Sequence, residues 1–161
     1  MAIPQRIRDY LDSQNVAFEH LRHSQAYTGQ ETAHSLHVSG NRYAKTLVLK
    51  GDGKPVMAVI PASHRLNLPE FQAALKVTHL EMLPESELTR FFPECELGAI
   101  PPFGHLFGMD VWVDRAVSDS EEIVICAGTH EDCLRMKYSD FSKLTTPRVE
   151  RFSELWTTKA A

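Results

Sequence analysis

The 161-residue chain has few cysteines, no long apolar run and no excess of positive charge. Its three cysteines, Cys95, Cys126 and Cys133, are odd in number and unpatterned, which disfavours a disulfide-stapled secreted domain and indicates reduced thiols. No segment has the apolar length of a membrane span or a secretory signal, so we expect a cytoplasmic protein. The formal net charge of -4 argues against a protein that coats long nucleic acids, but contact with one nucleic-acid end stays open.

Local signatures of the common enzyme classes are missing as well. The chain contains no G-x-S-x-G elbow, no H-E-x-x-H pair, no Walker loop and no dinucleotide fingerprint. These absences disfavour α/β-type serine hydrolases, zinc metalloproteases and nucleotide-dependent enzymes. Positive residues gather in the first half of the chain and acidic ones between residues 81 and 96, which indicates either two solvated faces or a basic binding patch.

Hydrophobic periodicity predicts short helices and strands in one domain, residues 1–161. Helices are predicted over residues 4–13, after the T-x-x-E capping box of Thr28 and Glu31, and over 68–75, 84–92 and 138–144. Strands are predicted over residues 16–21, 45–50, 56–60, 77–82, 109–113, 123–127 and 133–137, with a hairpin turn between the second and third. Hairpins mixed with irregular helices favour a mixed α/β (α+β) fold, in which short helices surround a curled, largely antiparallel, barrel-like sheet.

The stretch ELGAIPPFGHLFG, residues 96–108, combines helix-incompatible residues with many apolar ones. Such a composition is unusual in an irregular segment unless the segment packs against the protein or lines a cavity. Prolines fix φ, and Gly98 lets a ligand approach the backbone closely, so the loop is a candidate for presenting N–H groups to a developing oxyanion. The candidate donors are Ala99, Ile100, Phe103 and Gly104. The alternative is a stiff connector.

Two further polar residues stand at the ends of apolar strands, where scaffolds place functional groups. Lys45 opens the run KTLVLK, and His130 closes the run IVICAGTH. Taken alone, each has a simpler interpretation: an exposed edge lysine and a turn histidine.

Two sets of residues carry the chemistry of zinc ligands. The first is Cys126, His130 and Cys133, and the second is the i, i+3 pair His34 and His37. Free cysteines inside an apolar run are usually core residues, so the sequence predicts neither a metal nor another cofactor.

Taken together, these residues resemble a known family. The lysine in Ala44-Lys45-Thr46, the pattern Gly98-x-x-x-Pro102-x-Gly104 and the later Ala127-Gly128-x-His130 are similar to the YbaK and prolyl-tRNA-synthetase-associated editing superfamily, over about residues 28–144. The resemblance implies hydrolysis of wrongly charged aminoacyl-tRNA. It also implies that the glycine-proline loop forms a wall of the amino-acid pocket and that the lysine lies beside the terminal adenosine.

The resemblance implies catalytic roles for Lys45, Gly98 and His130. It implies substrate contacts from His34, Thr46, Ala99, Ile100, Pro101, Pro102, Phe103, Gly104 and Gly128. Its implied partners are the aminoacyl-tRNA 3′ end and, further, an aminoacyl-tRNA synthetase, with no membrane. An aminoacyl ester is already activated, so its hydrolysis needs an oriented water and a stabilised oxyanion rather than a triad. The expected substrate carries a small amino acid, but the branch that clears alanine has asparagine where Thr46 stands, so the sequence does not identify which one.

Two other classes of function fit the same residues. A non-catalytic module would bind an amino acid or an uncharged tRNA end through the apolar pocket and basic rim. A zinc hydrolase would use the cysteine and histidine set. Turnover of mischarged tRNAs separates the first alternative from the editing enzyme, and metal analysis separates the second.

Overall fold

The computed structural model describes residues 3–23, 40 and 42–156. The helix predicted after Thr28 and Glu31, and the candidate residues His34 and His37, lie outside the described residues. Within the described ranges, no helix combines the length and apolar character needed to cross a membrane.

The described residues form five α-helices, one 3-10 helix and ten strands. The helices are α1 (Gln5–Gln14), α2 (Leu68–Leu75), α3 (Glu85–Phe91), α4 (Arg115–Ser118), α5 (Tyr138–Thr145) and the 3-10 helix Gly104–Phe107. The strands are β1 (Glu19–Arg22), β2 (Tyr43–Gly51), β3 (Lys54–Pro61), β4 (His64–Leu66), β5 (Leu80–Met82), β6 (Asp110–Asp114), β7 (Glu122–Thr129), β8 (Asp132–Lys137), β9 (Arg148–Glu150) and β10 (Ser153–Leu155).

Eight of these strands form one curled sheet, in the order β1-β8-β7-β2-β3-β6-β9, with β5 added to the far end of β2. The pairs β1–β8, β7–β8, β2–β3 and β2–β5 are antiparallel, whereas β2–β7, β3–β6 and β6–β9 are parallel. Strands β4 and β10 form a separate antiparallel ribbon. The predicted mixed α+β class, with a largely antiparallel curled sheet and short helices around it, is confirmed.

The β2–β3 hairpin follows from its turn residues. Asp52 and Gly53 adopt φ of 46° and 83°, and positive φ at both central positions is what a two-residue turn between twisted strands requires. The Asp52 carboxylate also accepts the backbone N–H groups of Thr78 and His79, at 3.1 and 2.8 Å. This capping explains why the strand predicted over residues 77–82 begins only at Leu80.

The apolar side chains pack on both faces of the sheet. The main core lies under α1 and α5 and includes Ile7, Leu11, Ala44, Val48, Ile100, Phe103, Ala127, Leu134 and Phe141. The second core lies under α2 and consists of Leu49, Val56, Ala58, Ile60, Phe71, Trp112 and Phe152. Each fully buried leucine, isoleucine or phenylalanine among them stabilises the fold by roughly 1.5–3 kcal/mol, so both faces contribute to the stability of the sheet.

Candidate functional site

The site lies where two parallel strands part. In the described structure, β2 and β7 are paired through residues 43–44 and 124–125, and the register stops there. Immediately beyond this point β2 carries Lys45 and Thr46, and β7 continues to Gly128. The start of β2 and the end of β7 therefore bring three of the predicted site residues to one opening in the sheet.

Backbone hydrogen bonds fasten the glycine-proline loop to β7 at this opening. The ladder between β7 and β8 shifts register between Cys126 and Thr129, and Gly128 occupies this bulge. The N–H of Gly128 donates to the carbonyl of Ala99 at 2.9 Å, and the N–H of Glu96 donates to the carbonyl of Gly128 at 2.8 Å. A bulge re-aims backbone groups out of a ladder, and here they hold the start of the loop.

One of the candidate oxyanion donors is already used inside the loop. The N–H of Ala99 donates to the carbonyl of Glu96 at 3.0 Å, which closes a turn around Leu97 and Gly98. Ala99 is therefore corrected from a donor to a structural member of the loop. Ile100, Phe103 and Gly104 remain the candidates.

Two glycines of the site have backbone conformations that other residues rarely adopt. Gly98 has φ of 86° and Gly128 has φ of 101°, both in the region that favours glycine. A Cβ atom at Gly128 would also lie 2.6 Å from Cδ of Pro4, at the start of α1. The path of the loop thus depends on glycine at its entry and at its anchor.

The loop is part of the main core. Ala99 and Phe103 have no exposed surface and Ile100 is 6% exposed, while Pro101, Pro102 and Gly104 are also buried. This burial explains the unusual sequence, because the side chains pack inward. The loop therefore forms a rigid wall whose position is set by packing.

His130 lies at the entry of the same loop. Its side chain is 10% exposed, and its Nε2 atom lies 3.8 Å from Oε2 of Glu96. Since the backbone of Glu96 is bonded to Gly128, the histidine and the loop meet at the end of β7. Sequence reasoning did not single out Glu96.

Thr46 points to the side of the sheet that the loop occupies. Its neighbours two positions away, Ala44 and Val48, belong to the main core with Ile100, and alternate residues of a strand share a face. The Oγ1 atom of Thr46 is buried and has no hydrogen-bond partner among the described residues. An unpaired buried hydroxyl costs about 1–3 kcal/mol, so the Thr46 oxygen is available to hydrogen-bond a ligand or a water at this point.

Lys45 points to the opposite face of β2. Its ammonium lies 5.9 Å from the ring centre of Trp156, and its alternate neighbour Leu47 packs on the second core. Burial lowers the pKa of Lys45. Burial also lowers the pKa of the nearby His64, with an opposing effect of Asp114 and a further lowering by Lys45. The structure thus separates Lys45 from the loop by the thickness of one strand.

The family model for the aminoacyl-tRNA editing domain matches residues 23–144, which is more than half of the chain. The chain belongs to the aminoacyl-tRNA editing domain family. This membership confirms the resemblance seen in the sequence. No curated protein sequence matches the chain.

Three solved structures share the fold of this editing domain. A candidate trans-editing enzyme for prolyl-tRNA synthetase aligns with a TM-score of 0.80 at 20% identity, covering 93% of this chain and 96% of the other. A hypothetical protein aligns at 0.83 and 19% identity, covering 92% and 99%. A candidate signal transduction protein from Marinobacter aquaeolei VT8 aligns at 0.75 and 20% identity, covering 94% of this chain and 31% of that one. At these identities the likeness establishes the fold.

A buried carboxylate in the editing domain was missed by sequence reasoning. Asp132, which is 2% exposed, accepts the hydroxyl of Thr129 at 2.6 Å, and its other oxygen lies 2.7 Å from Nε2 of His20. Burial raises the pKa of Asp132, but hydrogen bonds from Thr129 and His20, together with the charges of His20 and Arg22, outweigh it, so the pKa lies below its usual value. The network ties β1 to the β7–β8 turn that carries His130.

The cysteines of the editing domain do not gather with His130. Cys126 and Cys133 are free cysteines that lie opposite each other in the register of β7 and β8, and the hydroxyl of Tyr43 lies 2.6 Å from Sγ of Cys126. Burial raises the pKa of both thiols. Across the described ranges, no three histidine, cysteine or acidic side chains form a group that could hold a metal ion. The set of Cys126, His130 and Cys133 is therefore not assembled.

Proposed function

We propose that this editing domain is a trans-acting deacylase, which hydrolyses the ester between a wrongly attached small amino acid and the 3′ end of a tRNA. Membership of the aminoacyl-tRNA editing family supports the proposal. A fold shared along almost the whole chain with a candidate trans-editing enzyme also supports it.

The reaction fits a site without a strong nucleophile. Water attacks the ester carbonyl carbon, and the carbonyl oxygen becomes an oxyanion. The bond to the ribose oxygen then breaks, the ribose oxygen takes up a proton, and the free amino acid leaves as the carboxylic acid. Preorganised N–H donors stabilise such an oxyanion, and loss of one costs about 10²–10³ in rate. The rigid wall that includes Ile100, Phe103 and Gly104 is the proposed source of these donors.

The observation that carries the proposal is the unpaired hydroxyl of Thr46. It is buried on the loop side of β2, beside the point where β2 and β7 part. A substrate ester or the attacking water that hydrogen-bonds to this oxygen would remove its desolvation cost. The bound state would then be more favourable than the free state at this position.

Two further roles belong to the proposal. His130, next to Glu96 at the loop entry, contacts the substrate near the ester. Lys45 supplies a cation on the other face of β2 for a phosphate of the tRNA end. The ribose hydroxyl beside the ester helps to activate the water, which leaves no need for a metal ligand set.

A small amino acid fits the burial of the loop. The side chains of Ala99 and Phe103 have no exposed surface, so they pack in the core and do not open a deep apolar pocket. The wall offers mainly backbone, which suits a side chain of few atoms. One methylene shifts discrimination in an apolar pocket by only about 1–3 kcal/mol, so the ranking among small amino acids has to be measured.

The test is a deacylation panel of tRNAs charged with different amino acids, measured for the wild type and Thr46→Val. Valine keeps the shape of threonine and removes the hydroxyl. We expect the free energy of unfolding to stay equal or rise by up to about 1 kcal/mol, because an unsatisfied polar atom is lost. Deacylation should fall at least about tenfold.

Thr145→Val is the matched control. The hydroxyl of Thr145 is also buried, but it donates to the carbonyl of Phe141 at 2.9 Å. This variant should lose stability by about 1 kcal/mol and keep its turnover per folded molecule. A wild-type protein that binds the charged tRNAs and hydrolyses none would contradict the proposal and identify the non-catalytic module.

A further inference from the structure

A large aromatic side chain stands exposed at the end of the described chain. Trp156 follows β10 and is 53% exposed. Its backbone N–H donates to the carbonyl of Ser63 at 3.0 Å, so the indole is held in place by the ribbon of β4 and β10. An ordered, half-exposed tryptophan leaves apolar surface in contact with water in the free protein, and such residues often mark contact surfaces.

Two cations border this indole. The ammonium of Lys45 lies 5.9 Å from the ring centre, and the guanidinium of Arg65 lies 5.7 Å from it. Arg65 is also paired with Glu154, whose carboxylate is 3.3 Å away. Lys45 and Arg65 thus place two cations beside one aromatic ring in a chain whose net charge is -4, and Glu154 offsets part of the charge of Arg65.

We infer that Trp156, Lys45 and Arg65 form a stacking platform for an unpaired nucleotide at the 3′ end of the tRNA. An aromatic face with flanking cations is the combination that binds single-stranded nucleic acid, because every base has a π-face and every nucleotide a phosphate. The inference rests on the proposed function, which brings a tRNA end to Lys45. Trp156 lies outside residues 23–144, so the family match does not assign it a role.

The platform gives Lys45 and Thr46 complementary tasks. Thr46 faces the loop on one side of β2, and Lys45 faces the platform on the other. A nucleotide stacked on Trp156 would place its phosphate near Lys45, while the ester it carries passes through the opening between β2 and β7. Stacking would therefore position the acyl group but contribute little to the specificity for the amino acid.

The experiment measures binding of an uncharged RNA hairpin with four unpaired 3′ nucleotides, with a blunt hairpin of the same stem for comparison. The chain has two tryptophans, and the other, Trp112, is 8% exposed, so quenching of the emission reports mainly on Trp156. The overhang RNA should quench wild-type emission more than the blunt RNA does. Because these variants lack the reporting indole, their affinities are measured by the anisotropy of dye-labelled overhang RNA: Trp156→Ala should weaken binding about 5- to 150-fold, whereas Trp156→Phe keeps most of the affinity.

Two variants provide the controls. Leu155→Ala removes a neighbouring apolar side chain that is 57% exposed, and it should bind like the wild type. Glu154→Gln releases Arg65 from its ion pair and should bind more tightly, with a steeper dependence on salt. If loss of exposed apolar surface alone weakened binding, Leu155→Ala would also bind RNA less tightly. If the Arg65–Glu154 pair were only structural, Glu154→Gln would leave the affinity for RNA unchanged or lower it.

Equal affinity of Trp156→Ala and the wild type, or equal quenching by blunt and overhang RNA, overturns the platform. These results are separable from the deacylation assay. Binding through Trp156 by a protein that hydrolyses no charged tRNA would leave the platform standing and remove the proposed function. Full deacylation by Trp156→Ala, with unchanged affinity for RNA, would remove the platform and leave the proposed function standing.

Discussion

Gly98 enters the glycine-proline loop with φ of 86°, and substitution by alanine should separate the geometry of the loop from its stability. A Cβ atom in this region costs about 1–2 kcal/mol, so Gly98→Ala either bears that strain or shifts the backbone towards negative φ. For a chain of this size the cost corresponds to a fall in Tm of about 2–8 °C.

The catalytic effect should exceed the stability effect. The loop follows Gly98 directly, and the buried side chains of Ile100 and Phe103 prevent it from moving as a whole. Any shift of the backbone is therefore taken up near the candidate N–H donors. A misplacement of about 1 Å typically costs about 10²-fold in rate, so we expect deacylation to fall about 10²-fold on every amino acid in the panel.

Gly53→Ala is the matched control. Gly53 has φ of 83°, almost the same as Gly98, and lies in the β2–β3 turn, where a Cβ atom would meet no other atom within 4 Å. The two variants should lose similar amounts of stability in urea unfolding, but only Gly98→Ala should lose activity. If Gly98→Ala deacylates within about twofold of Gly53→Ala, the backbone-donor account of the loop is wrong.

Four further results are expected. Lys45→Met should reduce deacylation about 30-fold or more while leaving the free energy of unfolding unchanged or higher, because burial already disfavours the charge on Lys45. Wild-type turnover in this variant would mean that Lys45 is only an exposed edge lysine. His130→Ala should lower turnover per folded molecule at least about tenfold, and a large fall in Tm with unchanged turnover would make it structural. The lowered pKa of Asp132 gives stability that is present above about pH 4 and is lost as pH falls. Asp132→Asn should therefore cost about 1.5–3 kcal/mol at pH 7 and flatten the acid side of the plot of unfolding free energy against pH. Parallel plots for the wild type and the variant would contradict this. Prolonged chelation should leave turnover unchanged, since the ester is already activated, and recovery by zinc alone after a loss would contradict that expectation.

Elements with strong local signals could be predicted from the sequence. The β2–β3 hairpin, α2 and the paired strands β7 and β8 were predicted to within a few residues, because turn chemistry and apolar periodicity act locally. In α2, Asn67 accepts the N–H of Glu70 at 3.0 Å, a cap that coincides with the predicted start. The family resemblance followed from short motifs on these elements.

Elements that depend on distant partners could not be predicted in this way. Strands β4, β9 and β10 are three residues long, which is too short for a period to show. Helix α4 has only four residues, and its Asp114 cap also accepts the N–H of Phe152 at 2.7 Å, a partner far away in the sequence. Local rules contain no information about such contacts.

The residues of the candidate site stay a prediction, and their arrangement could not be predicted from the sequence. Strand alternation implies that Lys45 and Thr46 point to opposite faces, but only the packing of Val48 and Leu47 shows which face meets the loop. Trp156 carried no local signal at all. Its significance comes from the ribbon of β4 and β10, which brings it to Lys45.

Because Lys45 and Thr46 point to opposite faces, the proposed function depends on the register in which β2 pairs with its neighbours. Pleating alternates the side chains, so a shift of one residue in the pairing with β3 would exchange the two faces and send the cation to the loop and the hydroxyl to the platform. A shift of two residues would restore the faces but move both groups along the strand. Insertions at the tip of the hairpin, around Asp52 and Gly53, leave the pairing of residues 44–47 in place. We therefore expect insertions at the hairpin tip to preserve the proposed deacylation and insertions inside the first half of β2 to abolish it.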